Sequence, residues 1–183
     1  MATRVRFSKS EFRKELMKRK KLYEDEQTAR LIAYAQEQIQ LIGSEIAPYF
    51  GMSERNTGNL LDSLCWGVWF NGNNRPKAFG YYREPQAEFE SYLHELSPLN
   101  RVPVNGRLLA QQFLADFQPK IKDGWEIAWG VLAPYYAYWE TGHENILLGG
   151  YVAPFYVMTQ RFDHIQNQLG TRCVTRIEIN RPQ

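Results

Sequence analysis

GWEIAWGV, residues Gly124 to Val131, alternates cleanly: Trp125, Ile127, Trp129 and Val131 share one face, and Glu126, Ala128 and Gly130 the other. A two-residue period with four bulky rings or branches on one side predicts a β-strand with a heavy core face. A second such segment, Cys65 to Asn71 (CWGVWFN), sets Trp66, Val68 and Phe70 against Cys65, Gly67 and Trp69. Apolar side chains on both faces predict a buried strand. The turn-forming run Asn71-Gly72-Asn73-Asn74-Arg75-Pro76 follows, and Gly80-Tyr81-Tyr82 is expected to begin a returning strand.

Helical periodicity surrounds these strands. Asn105 to Gln118 places Leu109, Phe113 and Phe117 at every fourth residue, with Pro119 as a stop. Upstream, a run from Ser8 or Ser10, either a suitable N-cap, reaches Ala47 with no proline before Pro48 and no glycine before Gly43. Ile32, Ala35, Ile39, Ile42 and Ile46 form a stripe at spacings of 3 and 4, whereas the first half offers only Phe12, Leu16 and Leu22 or Tyr23. A helix over Ser8 to Ala47 would be roughly 60 Å long. A compact domain of this size measures only about 26 to 30 Å across. The first half therefore projects, or the helix breaks near Tyr23 to Glu26. Its apolar spacing is too short-lived to favour a coiled coil.

After the GWEIAWGV strand, Pro134 predicts the first turn of a short helix over Tyr135 to Thr141, closed by Gly142 in a left-handed conformation. Pro154 repeats the device, opening a helix with Phe155, Met158, Phe162, Ile165 and Leu169 on one face. Cys173 to Asn180 alternates as a last strand. The expected class is α+β: one domain over residues 1–183, with a small, mainly antiparallel sheet covered on one face by helices and a long N-terminal helix. Residues 85–103, rich in proline and glutamate, read as an insertion anchored by Phe89, Leu93 and Leu96.

The charge is unevenly placed. Nine basic residues among the first 21 face only Glu11 and Glu15, a local charge of +7, so the rest of the chain carries −5 of the overall +2. Arg13, Lys14, Lys18, Arg19, Lys20 and Lys21 are the candidates for contact with an acidic partner or with duplex DNA. The bland alternative is a solvated helix face. Cys65 and Cys173 are the two cysteines and indicate no disulfide framework. The N-terminus lacks an apolar leader core, and no run approaches the ~18 apolar residues of a membrane span.

Catalytic signatures are sparse. His94, His143 and His164 lack metal-ligand spacing, and phosphate-loop, dinucleotide and nucleophile-elbow motifs are missing. Glu140, His143 and Glu144 are the best acid–base assembly, but no nucleophile or metal set accompanies them. No catalytic residue, cofactor or metal is expected. Four rings, Tyr135, Tyr136, Tyr138 and Trp139, crowd one short helix and cannot all face inward. Tyr136 and Trp139, together with Ile146, Leu147 and Leu148 in the loop Glu144 to Tyr151, are therefore candidates for a subunit interface.

The order of short motifs, NTGNLLDSL at Asn56 to Leu64, APYYAYWETG at Ala133 to Gly142 and Ala153-Pro154-Phe155, resembles the head–tail joining and tail-completion component family of long-tailed bacteriophages. The resemblance covers most of the chain from the long helix onward. It implies architectural roles for Thr57, Gly58 and Leu60 in the turn after the helix, Tyr135, Glu140 and Gly142 in the short helix, and Pro154 and Phe155 at the last helix. It further implies a structural virion protein of a phage or prophage, assembled in the bacterial cytoplasm into a homo-oligomeric ring that contacts connector, neck or tail-tube proteins. The basic N-terminus and the 85–103 insertion depart from the usual pattern. A basic protein that meets DNA through its N-terminal helix is the alternative.

Overall fold

The computed structural model describes residues 8–50, 58–86, 91–94, 101–133, 136, 141–145, 150–152 and 156–169. Helix α1 runs unbroken from Lys9 to Phe50, so no break occurs at Tyr23 to Glu26, and the helix passes Pro48 with the loss of one backbone donor in its last turn. Ser8 and Glu11 start it as a reciprocal capping box: Ser8 Oγ accepts from the Glu11 N–H at 3.1 Å, and the Ser8 N–H donates to the Glu11 carboxylate at 3.3 Å. These bonds satisfy donors that an uncapped helix would leave to water.

After the one-turn helix α2 (Asn59–Asp62), strand β1 (Leu64–Phe70) lies at the centre of a three-stranded antiparallel sheet. Its neighbours are β2 (Ala78–Tyr81) and β5 (Trp125–Val131). Trp66 pairs with Trp129 and Val68 with Ile127, so the two segments read from alternation meet in register. Both ends of this pairing are fastened. Asn71 and Gly124 exchange hydrogen bonds at one end, each with φ in the left-handed region. Ser63 Oγ accepts from the Leu132 and Ala133 N–H groups at 3.1 Å at the other.

The sheet is covered on both faces, and the one-face expectation is corrected. Ala35, Ile39, Ile42 and Ile46 of α1 pack on Trp66 and Val68, with Ile127 and Trp129 alongside. On the opposite face α3 (Gly106–Asp116) places Ala110 and Leu114 against Cys65 and Trp69. The alternation of β1 on both sides has its physical cause here, since each face meets its own helix. On α3 the buried positions are Gly106, Ala110 and Leu114, while Phe113 and Phe117 of the expected stripe pack half-buried against the same cluster, Leu109 is half-buried and Leu108 is exposed. Asn105 caps this helix through the Leu108 N–H.

The 85–103 region contains a separate antiparallel hairpin, β3 (Ser91–His94) with β4 (Arg101–Val104). Another antiparallel pair, β6 (His143–Asn145) with β7 (Gly150–Val152), takes up both ends of the loop expected at Glu144 to Tyr151, whose residues 146–149 lie outside the described residues. Helix α4 (Val157–Leu169) packs Met158 and Phe162 into the α1 side of the core. It begins after Tyr156, whose φ is 54°, and the expected opening at Pro154 and Phe155 lies outside the described residues. The strand expected over Cys173 to Asn180 lies outside the described residues.

Candidate functional site

Two features stand out, a polar clamp inside the body and a bare helix outside it. The clamp is built by α2. Asp62 is buried amid Leu60, Leu61 and Leu64, where a lone carboxylate would be costly. Its oxygens take the Arg83 guanidinium at 2.8 Å and the Gln86 N–H at 3.0 Å, and the same guanidinium donates to the Gly58 carbonyl at 3.0 Å. One turn earlier, buried Asn59 accepts the Gly106 N–H at 2.9 Å. Arg107 then donates to the Arg83 carbonyl and stacks over the Tyr81 ring, 3.6 Å from its centroid. Gln86 and Gly106 flank the segment that carries the β3–β4 hairpin, so α2 grips both roots of the insertion. Sequence reasoning missed Asn59, Asp62 and Arg83. The signal was available: a carboxylate inside LLDSL needs a buried partner.

Of the motif positions, Gly58 has φ 77° and leads into α2, and Leu60 is fully buried in the main core. Gly142 has φ 76°, the left-handed closure expected of it. Thr57, Tyr135, Glu140, Pro154 and Phe155 lie outside the described residues. Tyr136 and Thr141, the described residues of the short helix, are both helical. Tyr136 is buried in the main core, which removes it from the candidate interface. Trp139, Ile146, Leu147 and Leu148 lie outside the described residues.

His143 and Glu144 occupy consecutive positions of β6, paired with Val152 and Tyr151, directly after the short helix that reaches Thr141. Glu140 lies outside the described residues. Among the described residues no cluster of three potential metal ligands forms, and no helix is long and apolar enough to cross a membrane. Cys65 is a free, buried thiol whose pKa is pushed up from 9.0 to about 12, chiefly by burial. It stays protonated at neutral pH and makes a poor nucleophile.

The bare helix is the first part of α1. Arg13, Lys14, Lys18, Arg19, Lys20 and Lys21 are all exposed, as is every residue from Ser8 to Tyr23. Arg19 pairs with Glu15 at 3.1 Å and Lys20 approaches Glu24 at 3.8 Å, both across one helical turn. The helix joins the body at Tyr23, whose ring meets Trp125 edge-on, and at Thr28, whose hydroxyl accepts from Trp125 Nε1 at 2.9 Å. Trp129 Nε1 donates to the Ala35 carbonyl two turns further on.

Comparison with protein-family profiles, with curated proteins and with solved structures finds no significant match to this chain.

Proposed function

We propose that this chain is a structural component of a tailed phage or prophage particle, acting without catalysis in head–tail joining, neck assembly or tail completion. The observation that carries the reading is the division of labour between a packed body and an outlying helix. Gly58, Leu60 and Gly142, the motif positions described, serve turns and core, while charge and exposed apolar surface collect on a helix that the body does not use. Such a helix suits assembly with connector, neck or tail-tube proteins, and a homo-oligomeric ring is the form proposed for the virion.

The test is genetic and compositional. Particles purified from the encoding phage or induced prophage should contain the protein by mass spectrometry. Deleting its gene should leave heads and tails unjoined, or tails incomplete, in electron micrographs. Particles that lack the protein and mature normally without it would end the proposal.

A second reading is favoured by one observation, the excess of exposed basic over acidic residues on this helix: sequence-blind contact of Arg13 to Lys21 with duplex DNA. Binding should then weaken steeply as salt rises, because each phosphate contact releases counterions. A full-length variant with Lys18, Arg19, Lys20 and Lys21 changed to alanine should lose most of it. Equal binding by that variant would dismiss this reading.

A further inference from the structure

We infer that the outer edge of β5 is a strand-acceptor site, and that its occupant is the segment Cys173 to Asn180 of the same chain, laid parallel to β5. Hydrogen bonding defines the edge. In the described sheet β5 is an end strand with β1 as its neighbour. Residues of an antiparallel pair turn their backbone groups alternately toward and away from the partner strand. The Asn71 N–H donates to the Gly124 carbonyl and the Leu132 N–H to Ser63 Oγ, so Glu126, Ala128 and Gly130 between them also face β1. Trp125, Ile127, Trp129 and Val131 turn their N–H and C=O groups the other way, where no backbone partner lies among the described residues. Their side chains pack half-buried on the main core, and an unpaired row of backbone groups in such a place is a template for one more strand.

The path of the chain selects the occupant. Trp125 bonds Thr28 and Trp129 bonds Ala35, so β5 and α1 run in the same direction. Helix α4 runs against both, because Arg161 pairs with Glu45 while Gln168 accepts from the Tyr34 hydroxyl at 3.3 Å. The rings of Tyr34 and Phe162 meet Trp129 edge-on, with centroids 6.4 and 5.8 Å away, which puts the end of α4 beside β5. Residues 170–183 lie outside the described residues. Gly170 to Arg172 can cover about 10 Å when extended, enough to turn and start back along β5. A strand, a helix and a returning strand make the crossover that joins parallel neighbours. Cys173 to Asn180 supplies eight residues for the seven of β5. Its alternation lets Cys173, Thr175, Ile177 and Ile179 continue the Ile127 and Trp129 face beneath α4, with Arg176 and Glu178 on the Glu126 face. An occupied edge is closed to strands of other chains, and displacing the segment would open it. This pairing goes beyond the assembly reading and does not rest on it.

The experiment is amide-resolved hydrogen exchange with nuclear Overhauser spectroscopy on the full-length protein. The Ile127 and Trp129 N–H groups are expected to exchange within about tenfold of the Ala128 N–H, since amides bonded on either side of one strand open together. Cross-peaks should link residues 125–131 to 173–180 in the pattern of parallel strands, and should be intramolecular in a mixture of labelled and unlabelled protein. With the faces as assigned, Arg176 turns its backbone toward β5. Arg176→Pro removes that N–H and should quicken Ile127 and Trp129 by about tenfold or more, leaving Trp66, which bonds β2, as in wild type. Arg176→Ala keeps the backbone and should change none of these rates. Free exchange of Ile127 and Trp129 in the wild type overturns the inference, as do cross-peaks from β5 to a different segment or protection that Arg176→Pro leaves untouched. Cross-peaks found only between molecules would make a second copy the occupant and overturn it too. Should Arg176→Pro fail to fold, the wild-type cross-peaks decide by themselves.

Discussion

The two halves of α1 share one unbroken helix and one backbone geometry, yet the chain treats them in opposite ways. From Ala35 to Ile46 the apolar stripe recurs at every turn and is fully buried, and two tryptophan indoles reach up from the sheet to bond the helix at Thr28 and Ala35. From Ser8 to Tyr23 the stripe thins to about one large residue per turn or two, basic residues fill the gaps, and nothing is buried. Helical propensity and capping are enough to continue a helix that is already nucleated, because each added residue gains one hydrogen bond without a new nucleation step. What distinguishes the halves is the density of apolar side chains on one face, and that density decides whether the body of the chain covers it.

The sharpest way to break this comparison is to ask whether stability resides only in the body. The largest loss is expected from Asp62→Ala, which leaves the Arg83 guanidinium in a half-buried site without its carboxylate. Removing one partner of such a pair costs about 3 kcal/mol or more. Chemical denaturation would read it as a lower midpoint, and a change within error would mean that the α2 clamp is dispensable. Slightly smaller is Ile42→Ala, which opens a cavity in a fully buried site at a cost of about 2 to 5 kcal/mol. Its counterpart in the exposed half, Leu16→Ala, should stay within about 0.5 kcal/mol of wild type, as exposed substitutions do. Equal losses at the two positions would erase the distinction between the halves.

The boundary can be sharpened at Thr28. Thr28→Val keeps the shape but removes the acceptor for Trp125 Nε1, leaving a half-buried indole N–H unpaired at a cost of about 1 to 3 kcal/mol. Tryptophan fluorescence should shift along with the denaturation midpoint. No change in either would move the point where the helix leaves the body to a later turn.

Much of this organisation was legible in the residues. Ile32 to Ile46, Trp125 to Val131 and Cys65 to Asn71 carry strong periodicity because each apolar face packs on a fixed neighbour, and a serine at Ser8 or Ser10 marks the helix start. The α3 register was harder, since Leu109 and Phe113 outrank Ala110 in hydrophobicity, whereas the close approach of helix and sheet selects the small residue. The hairpins of β3–β4 and β6–β7 left little trace, having only three or four paired residues per strand and no repeating apolar face. The Asn59 and Asp62 clamp depends on Arg83, Gln86 and Gly106, contacts that spacing along the chain does not encode. For the first part of α1, basic composition was readable and continuity with the seated half was one of two readings, the projecting one being what the unbroken helix shows.

The smallest expected effect tests the exposed half of α1 as a helix in its own right. Ser8→Ala removes the acceptor for the Glu11 N–H and half of the capping box, worth about 1 kcal/mol to the helix end. Because no tertiary contact among the described residues binds that end to the body, the loss should not propagate: hydrogen exchange should quicken over the first turns of α1 and remain unchanged at Ala35 to Ile46. The thermal midpoint should stay where it is. Quickened exchange in the seated half would show that cap and core belong to one cooperative unit, and the contrast between the two halves of α1 would then be one of exposure without independence.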